Sequence, residues 1–98
     1  MSERVHVVAR LFAKPGKEDE LRRLLHALVA PTRVEAGCLR YELHEQRERS
    51  GAFVFVETWV SDAHLDAHLS SVHISETAAG LGSLVDRPPE ILRYRAIA

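Results

Sequence analysis

Apolar residues recur along the chain at two spacings, and each spacing predicts a different kind of element. Residues 4–12 and 53–60 are rich in β-branched and apolar side chains, and residues 38–46 alternate between apolar and polar, so each segment predicts a strand. Between the first two strands, apolar residues return at helical spacing at Leu21, Leu24, Leu25 and Leu28. This spacing predicts a helix over residues 17–35, with a kink or a loosened last turn at Pro31 and a stop at Gly37.

The second half of the chain adds another helical region and a last strand. The strands at 38–46 and 53–60 are expected to pair as a hairpin. Ser61 or Asp62 caps a helix that begins DAHLDAHLSS, and a further short helical piece is expected within residues 73–84, weakened by Gly80 and Gly82. Residues 90–98 predict the last strand. The β-α-β-β-α-β order predicts one α+β domain over residues 1–98, with a ferredoxin-like, four-stranded antiparallel sheet.

The first and third predicted strands carry apolar residues on both faces. The faces hold Val5, Val7, Ala9 and Leu11 against Val8 and Phe12, and Phe53, Phe55 and Trp59 against Val54, Val56 and Val60. Two helices cover only one face of such a sheet, and monomers rarely leave a large apolar patch exposed. A second copy of the chain is the simplest cover, so we expect a homodimer.

Charge and cysteine content exclude several classes of protein. The formal net charge is −1, from 13 basic and 14 acidic residues with no isolated basic run, so nucleic acid is not an expected partner. No apolar stretch approaches the roughly 18 residues of a membrane-spanning helix, so no membrane association is expected. Cys38 is the only cysteine, which leaves no internal disulfide and no cysteine-type zinc site. A reducing cytoplasm is the expected location.

The densest group of chemically active side chains lies within residues 57–74 and includes three histidines. On a helical projection, His68 and His73 flank the apolar stripe, so they can point between helix and sheet if the helix continues that far, whereas His64 faces solvent. Imidazole titrates near neutral pH and can transfer protons, although both histidines could instead be boundary residues bonded to backbone or water. His64 and His68 have a chelating spacing, but no third ligand is evident and no metal is expected.

The remaining candidates are residues on strands or on the apolar stripe. Trp59 is either a core aromatic or the wall of an apolar pocket that stacks on a flat ligand. Glu57 shares its apolar strand face, so it needs a partner, either an arginine across the sheet or a role as the base of the pocket. Tyr41 shares a strand face with Leu39 and Leu43 in a core position, and Leu65 lies on the helical stripe. We predict Trp59, Tyr41 and Leu65 as substrate-binding residues.

Three long segments resemble a known family. They read VVARLFAKPGKEDELRRLL, TRVEAGCLRYELHE and FVFVETWVSDAHLDAHLSSVHI, and their most specific parts are Lys14-Pro15-Gly16-Lys17, Glu35-Ala36-Gly37-Cys38, Glu57-x-Trp59, Ala67-His68-Leu69 and His73. Together they cover nearly the whole chain and resemble the antibiotic biosynthesis monooxygenase domain, in particular the small bacterial quinol monooxygenases. The resemblance implies a homodimer whose ferredoxin-like sheets build a dimeric α/β barrel.

The resemblance also implies a function. It implies a monooxygenase that oxidises a phenolic or quinol-type aromatic substrate with O₂, in a pocket between sheet and helices, with no flavin, haem or metal. Within it, Trp59 would pack on the substrate ring, His68 and His73 would handle the phenolic protons, and Glu57 would orient one of these histidines. The catalytic residues expected from the resemblance are therefore His68, His73 and Glu57.

The sequence departs from this family at two places. Members often read Ser/Thr-Pro-His-Phe where this chain has Ser71-Val72-His73-Ile74, and the missing proline predicts a softer break in the helix. The haem-degrading branch uses an asparagine where this chain has Ala9, which argues against haem degradation. Two further functions stay open for the same fold, namely a small-metabolite isomerase and a non-enzymatic ligand-binding or stress-response dimer.

Overall fold

Four strands and four helices form an α+β fold. The computed structural model describes residues 3–98, so Met1 and Ser2 of the predicted domain lie outside the described residues. The elements in chain order are β1 (Val5–Phe12), α1 (Glu18–His26), α2 (Val29–Arg33), β2 (Cys38–Glu45), β3 (Ala52–Trp59), α3 (Asp62–Leu69), α4 (Val72–Leu81) and β4 (Glu90–Tyr94). The strands pair antiparallel in the order β2-β3-β1-β4, which confirms the predicted ferredoxin-like sheet and the hairpin between β2 and β3.

The alternation along the strands determines which face of the sheet the helices cover. On β1, Val7 is only 1% exposed and faces the helices, while its neighbour Val8 is half-buried on the opposite face. On β3, Phe55 and Trp59 are buried on the helix side, and Val56 is half-buried on the other. Both faces of the central strands are therefore apolar, as the sequence predicts, and only one of them is covered by helices.

The predicted helix over 17–35 is two helices, with a break at Ala27 and Leu28. Pro31 explains where the break lies. A proline has no backbone N–H, and its ring collides with the carbonyl four residues earlier, which here belongs to Ala27. The predicted kink is therefore real, but it lies one turn before the proline.

The second helical region is also divided. Ser61 caps α3, because its side chain accepts a hydrogen bond from the backbone N–H of His64 at 3.3 Å. The helix ends at Leu69, and Ser71 caps α4 by accepting from the N–H of Ile74 at 3.4 Å. The break therefore forms without a proline, because a serine cap starts the new helix. Helix α3 therefore does not continue to residue 73.

Two further differences concern the sheet. A bulge makes Leu39 an extra residue on β2, so Leu39 is exposed instead of sharing the buried face with Tyr41. The last strand ends at Tyr94, and residues 95–98 lie outside regular structure. None of the helices within residues 3–98 is long and apolar enough to span a membrane.

Candidate active site

A cavity of about 620 Å³ lies between the sheet and the helices. Its walls are mostly apolar. The sheet contributes Val7, Ala9, Leu11 and Phe55, and the helices contribute Leu25, Leu65, Leu69, Ile74 and Leu81. Four polar side chains also reach it from these elements: Tyr41, Glu57, His68 and Thr77. The exposed loop at 86–88 borders one part of the cavity. Its size and its few polar groups suit a small, largely apolar molecule.

Glu57 is a buried carboxyl group in this apolar wall. It is only 5% exposed, and its Oε1 accepts a hydrogen bond from the indole N–H of Trp59 at 2.9 Å. Burial raises the pKa of Glu57 to about 7, while the Trp59 hydrogen bond opposes the shift and the charge of Glu35 adds to it. Within residues 3–98 no arginine pairs with Glu57, so the expected partner across the sheet is absent. Near pH 7 this carboxyl can therefore either give or take a proton.

His68 lies in the last turn of α3, with one edge on a carboxylate and its ring at the cavity. Its Nδ1 is 2.7 Å from Oε2 of Glu35, and the side chain is only 2% exposed. The ring stacks on Trp59 with 4.7 Å between centroids and meets Tyr41 edge-on at 5.5 Å. Burial lowers the pKa of His68, although the hydrogen bond to Glu35 opposes this shift. Nδ1 is thus held by Glu35, and Nε2 makes no hydrogen bond to any described residue.

Glu35 is the site residue that the sequence reasoning missed. It lies in the connection between α2 and β2, and its Oε2 also lies 3.0 Å from Nε2 of His73. Glu57, expected to orient a histidine, is bonded to Trp59 instead, and Glu35 holds both histidines. The only sequence signal was its place in the Glu35-Ala36-Gly37-Cys38 motif, because its partners lie 33 and 38 residues further along the chain.

The other predicted site residues divide into two groups. Tyr41 and Leu65 line the cavity, as expected for substrate-binding residues. Trp59 is fully buried behind the ring of His68 and is not part of the cavity wall, so it does not offer a face to a ligand. His73 is also outside the wall, and its side chain is 26% exposed. His64, expected to face solvent, is half-buried, and its Nδ1 lies 2.7 Å from the hydroxyl of Ser61.

A comparison with known families gives this site its context. The family model described as antibiotic biosynthesis monooxygenase matches residues 4–80, which include Glu35, Glu57, His68 and His73. The chain belongs to the antibiotic biosynthesis monooxygenase family. The family resemblance seen in the sequence is thereby confirmed, and the family name indicates an enzyme of the oxidoreductase class.

Relatives of this monooxygenase family match over most of their length. A Mycobacterium tuberculosis protein with the name "Putative monooxygenase Rv0793" is 39% identical over 88 residues, which are 90% of this chain and 86% of the relative. The crystal structure of PA3566 from Pseudomonas aeruginosa superposes with a TM-score of 0.94 at 38% identity, covering 100% of this chain and 98% of that one. The structure of Rv0793 superposes with a TM-score of 0.92 at 34% identity, and the superposition covers 98% of this chain and 97% of that one.

Proposed function

We propose that this protein is a cofactor-independent monooxygenase that oxidises a phenolic or quinol-type aromatic substrate with O₂. The observation that carries the proposal is the apolar cavity of about 620 Å³ with His68 and Glu57 in its wall. A flat aromatic ring would lose its water on entering, and its hydroxyl group would find these two polar groups. The family membership supports the oxidation, and the cavity supports the aromatic class of substrate.

In this proposal His68 is the catalytic base. Glu35 accepts a hydrogen bond from Nδ1–H, so the lone pair of the neutral ring lies on Nε2, and His68 lines the cavity. Nε2 takes the proton of a phenolic hydroxyl, and the resulting imidazolium is stabilised by the carboxylate of Glu35. Glu35 is a positioning residue, because it acts through His68. A neutral imidazole suits this role, and burial favours that form.

Glu57 is the second catalytic group in the proposal, and His73 and Trp59 act indirectly. Glu57 has its pKa raised to about 7, so it can exchange a proton with a second substrate oxygen near neutral pH. Trp59 holds Glu57 by its hydrogen bond and supports the ring of His68 from behind. His73 shares the carboxylate of Glu35 and is therefore placed to tune His68 through it. Tyr41 and Leu65 contact the substrate from the cavity wall.

The reaction balances without an external reductant. A quinol with a free ring C–H reacts with O₂ to give a hydroxyquinone and water: one oxygen atom enters the ring, and the other leaves as water with the two hydrogens that the quinol loses. The substrate supplies all the electrons. Deprotonation makes the ring a better electron donor to O₂, and the apolar wall keeps water from the reacting atoms.

The test is oxygen consumption with a panel of naphthohydroquinones, measured as the rate above uncatalysed autoxidation. His68→Asn keeps an N–H donor for Glu35 but removes the ring nitrogen at the cavity. We expect the rate constant of this variant to be lower by roughly 100-fold or more, which is the usual contribution of a general base. His44→Gln is the matched control, because His44 is an exposed histidine that pairs with Glu42 outside the cavity.

The outcomes separate the proposal from its competitors. No turnover by the wild type across the panel would favour a non-enzymatic ligand-binding dimer. Turnover that persists without oxygen would indicate an isomerase. If His68→Asn keeps the full rate, His68 is not the base.

We also propose that the working unit is a homodimer formed through the sheet face that the helices leave uncovered. Val8, Val54 and Val56 lie at its centre, and Leu92 and Tyr94 of the edge strand β4 are 43% and 49% exposed. The register of β1 with β4 places both on this same face. A second copy of this face is its best complement, because both are apolar at the centre. The cytoplasmic location expected from the single cysteine also stays a prediction.

A further inference from the structure

Three metal-binding side chains meet beside the cavity, each from a different part of the chain. Glu35 comes from the connection before β2, His68 from the last turn of α3 and His73 from the first turn of α4. One ligand atom from each lies within 4.8 Å of the other two. In the sequence alone, only His64 and His68 have a chelating spacing, and no third ligand is evident for them. The fold replaces His64 with His73 and adds a carboxylate.

The two nitrogen–oxygen distances are close to those of a coordination sphere. Oε2 of Glu35 lies 2.7 Å from Nδ1 of His68 and 3.0 Å from Nε2 of His73. Around a tetrahedral ion with bonds of about 2.0–2.1 Å, neighbouring ligand atoms lie about 3.3 Å apart. The two nitrogen–oxygen pairs therefore need to separate by only a few tenths of an ångström, whereas the two histidine nitrogens, which lie within 4.8 Å of each other, need to move to about 3.3 Å for an ion to fit between the three atoms. The side chains of Glu35 and His73 are 18% and 26% exposed, which gives an ion a path from solvent.

We propose that Glu35, His68 and His73 form a binding site for one divalent transition-metal ion, with Zn²⁺ as the best match. Two imidazoles and a carboxylate leave one position open for water, and imidazole ligands favour zinc, cobalt, nickel and copper over magnesium and calcium. The proposed oxidation uses no metal, although the two proposals share Glu35 and His68.

Metal binding would rearrange the protons of both histidines. The ion takes the lone pairs of Nδ1 on His68 and Nε2 on His73, where the metal-free site has hydrogen bonds to Glu35. In neutral His68 the remaining proton must then sit on Nε2, so the nitrogen at the cavity becomes a donor. The metal-bound and metal-free forms therefore present opposite hydrogen-bonding characters to the cavity, and the ion would suppress any reaction that needs His68 as a base.

The test uses the full chain without an affinity tag. Co²⁺ is titrated at pH 7.5 and followed by its visible absorption bands, and Zn²⁺ is titrated by calorimetry. We expect one ion per chain and nitrogen-ligand bands for cobalt. Glu35→Gln and His73→Gln should each weaken binding by at least about 10–100-fold, the loss that follows even from removing a residue that merely supports a ligand.

Two control variants decide where the ion binds. His44→Gln removes the other histidine–glutamate pair, Nε2 of His44 with Oε1 of Glu42 at 3.0 Å, and should leave the affinity unchanged. His64→Gln tests the sequence-local pair with His68 and should also leave it unchanged. Three results would each overturn the site. They are the absence of saturable binding up to millimolar metal, an unchanged affinity in Glu35→Gln, and a reduced affinity in His64→Gln. Because the readout is metal binding, these results are distinct from any failure to consume oxygen.

Discussion

At the scale of single residues, Glu57 is the group whose burial most opposes folding. Its carboxyl group is enclosed by apolar walls, and one indole N–H is its only hydrogen-bond donor among the described residues. The titratable groups that interact with its charge are Glu35, Cys38 and Tyr41, and His68, Asp86 and Arg87 line the same cavity. Arg87 is paired with Asp86, and burial favours the neutral form of His68, so no positive charge pairs with Glu57. The buried carboxylate is therefore costly to ionise.

This cost predicts a dependence of stability on pH. The pKa of Glu57 rises from 4.5 to about 7 on folding, so the folded chain binds more protons in that window and its stability falls as pH rises through it. Glu57→Gln removes this penalty and keeps an acceptor for Trp59. At one protein concentration, urea unfolding followed by circular dichroism should show the variant gaining on the wild type by on the order of 2–3 kcal/mol between pH 4 and pH 8.

The control for this measurement is Glu48→Gln, which changes an exposed glutamate in the turn between β2 and β3. Its unfolding free energy should follow that of the wild type at every pH, because the substitution lies at an exposed position away from the cavity. A wild-type advantage over Glu57→Gln that grows with pH would contradict the sign of the shift.

At the scale of elements, the connection between α2 and β2 is the part that assembles the site. It delivers Glu35 to the two histidines, and Gly37 turns the chain into β2 with φ at +82°. A Cβ atom built on Gly37 would lie 2.3 Å from Cγ of His64. The connection is therefore pressed against α3, and a side chain at this position would separate them.

Gly37→Ala should reveal this close approach, with Gly16→Ala as its matched control. Gly16 has nearly the same φ of +84°, but its Cβ would meet nothing within 4 Å. Gly16→Ala should lower the free energy of unfolding by about 1–2 kcal/mol because of backbone strain alone. Gly37→Ala should lower it by roughly a further 1–3 kcal/mol because of overpacking. Denaturant unfolding measures both.

Adding His64→Ala to Gly37→Ala should recover part of the extra loss, because it removes the ring that the new methyl group meets. Equal losses for the two glycine variants would show that the contact with His64 carries no cost.

The elements themselves were largely predictable from the sequence, because strand alternation and helix spacing are local patterns. The position of the break before Pro31 could also have been predicted, since a proline ring meets the carbonyl four residues earlier. The cavity wall was predicted in part, with Tyr41 and Leu65 in place. Glu35 and the burial of Trp59 were missed, because both depend on how elements distant in sequence pack together.

At the scale of the whole molecule, one layer of helices leaves one apolar face of the central strands uncovered. In the proposed dimer this surface is shared by two copies of the 11.0 kDa chain. Val56 lies near its centre, paired with Val8 of β1 and Glu42 of β2.

Val56→Lys should therefore convert the dimer to monomer, because two lysines would be buried against apolar strands. Sedimentation equilibrium at several concentrations measures the mass. Val34→Lys makes the same change at a residue that is 85% exposed outside the sheet, and it should keep the mass of the wild type. A wild type that sediments as a single chain at micromolar concentration would rule out the dimer.

The placement of Trp59 has a practical consequence. It is the only tryptophan in the chain, and it touches both His68 and Glu57. Nearly all of the long-wavelength fluorescence of the protein therefore originates one layer behind the cavity wall. Emission intensity and wavelength become an intrinsic optical gauge of that wall, so a ligand that fills the cavity can be followed without a label.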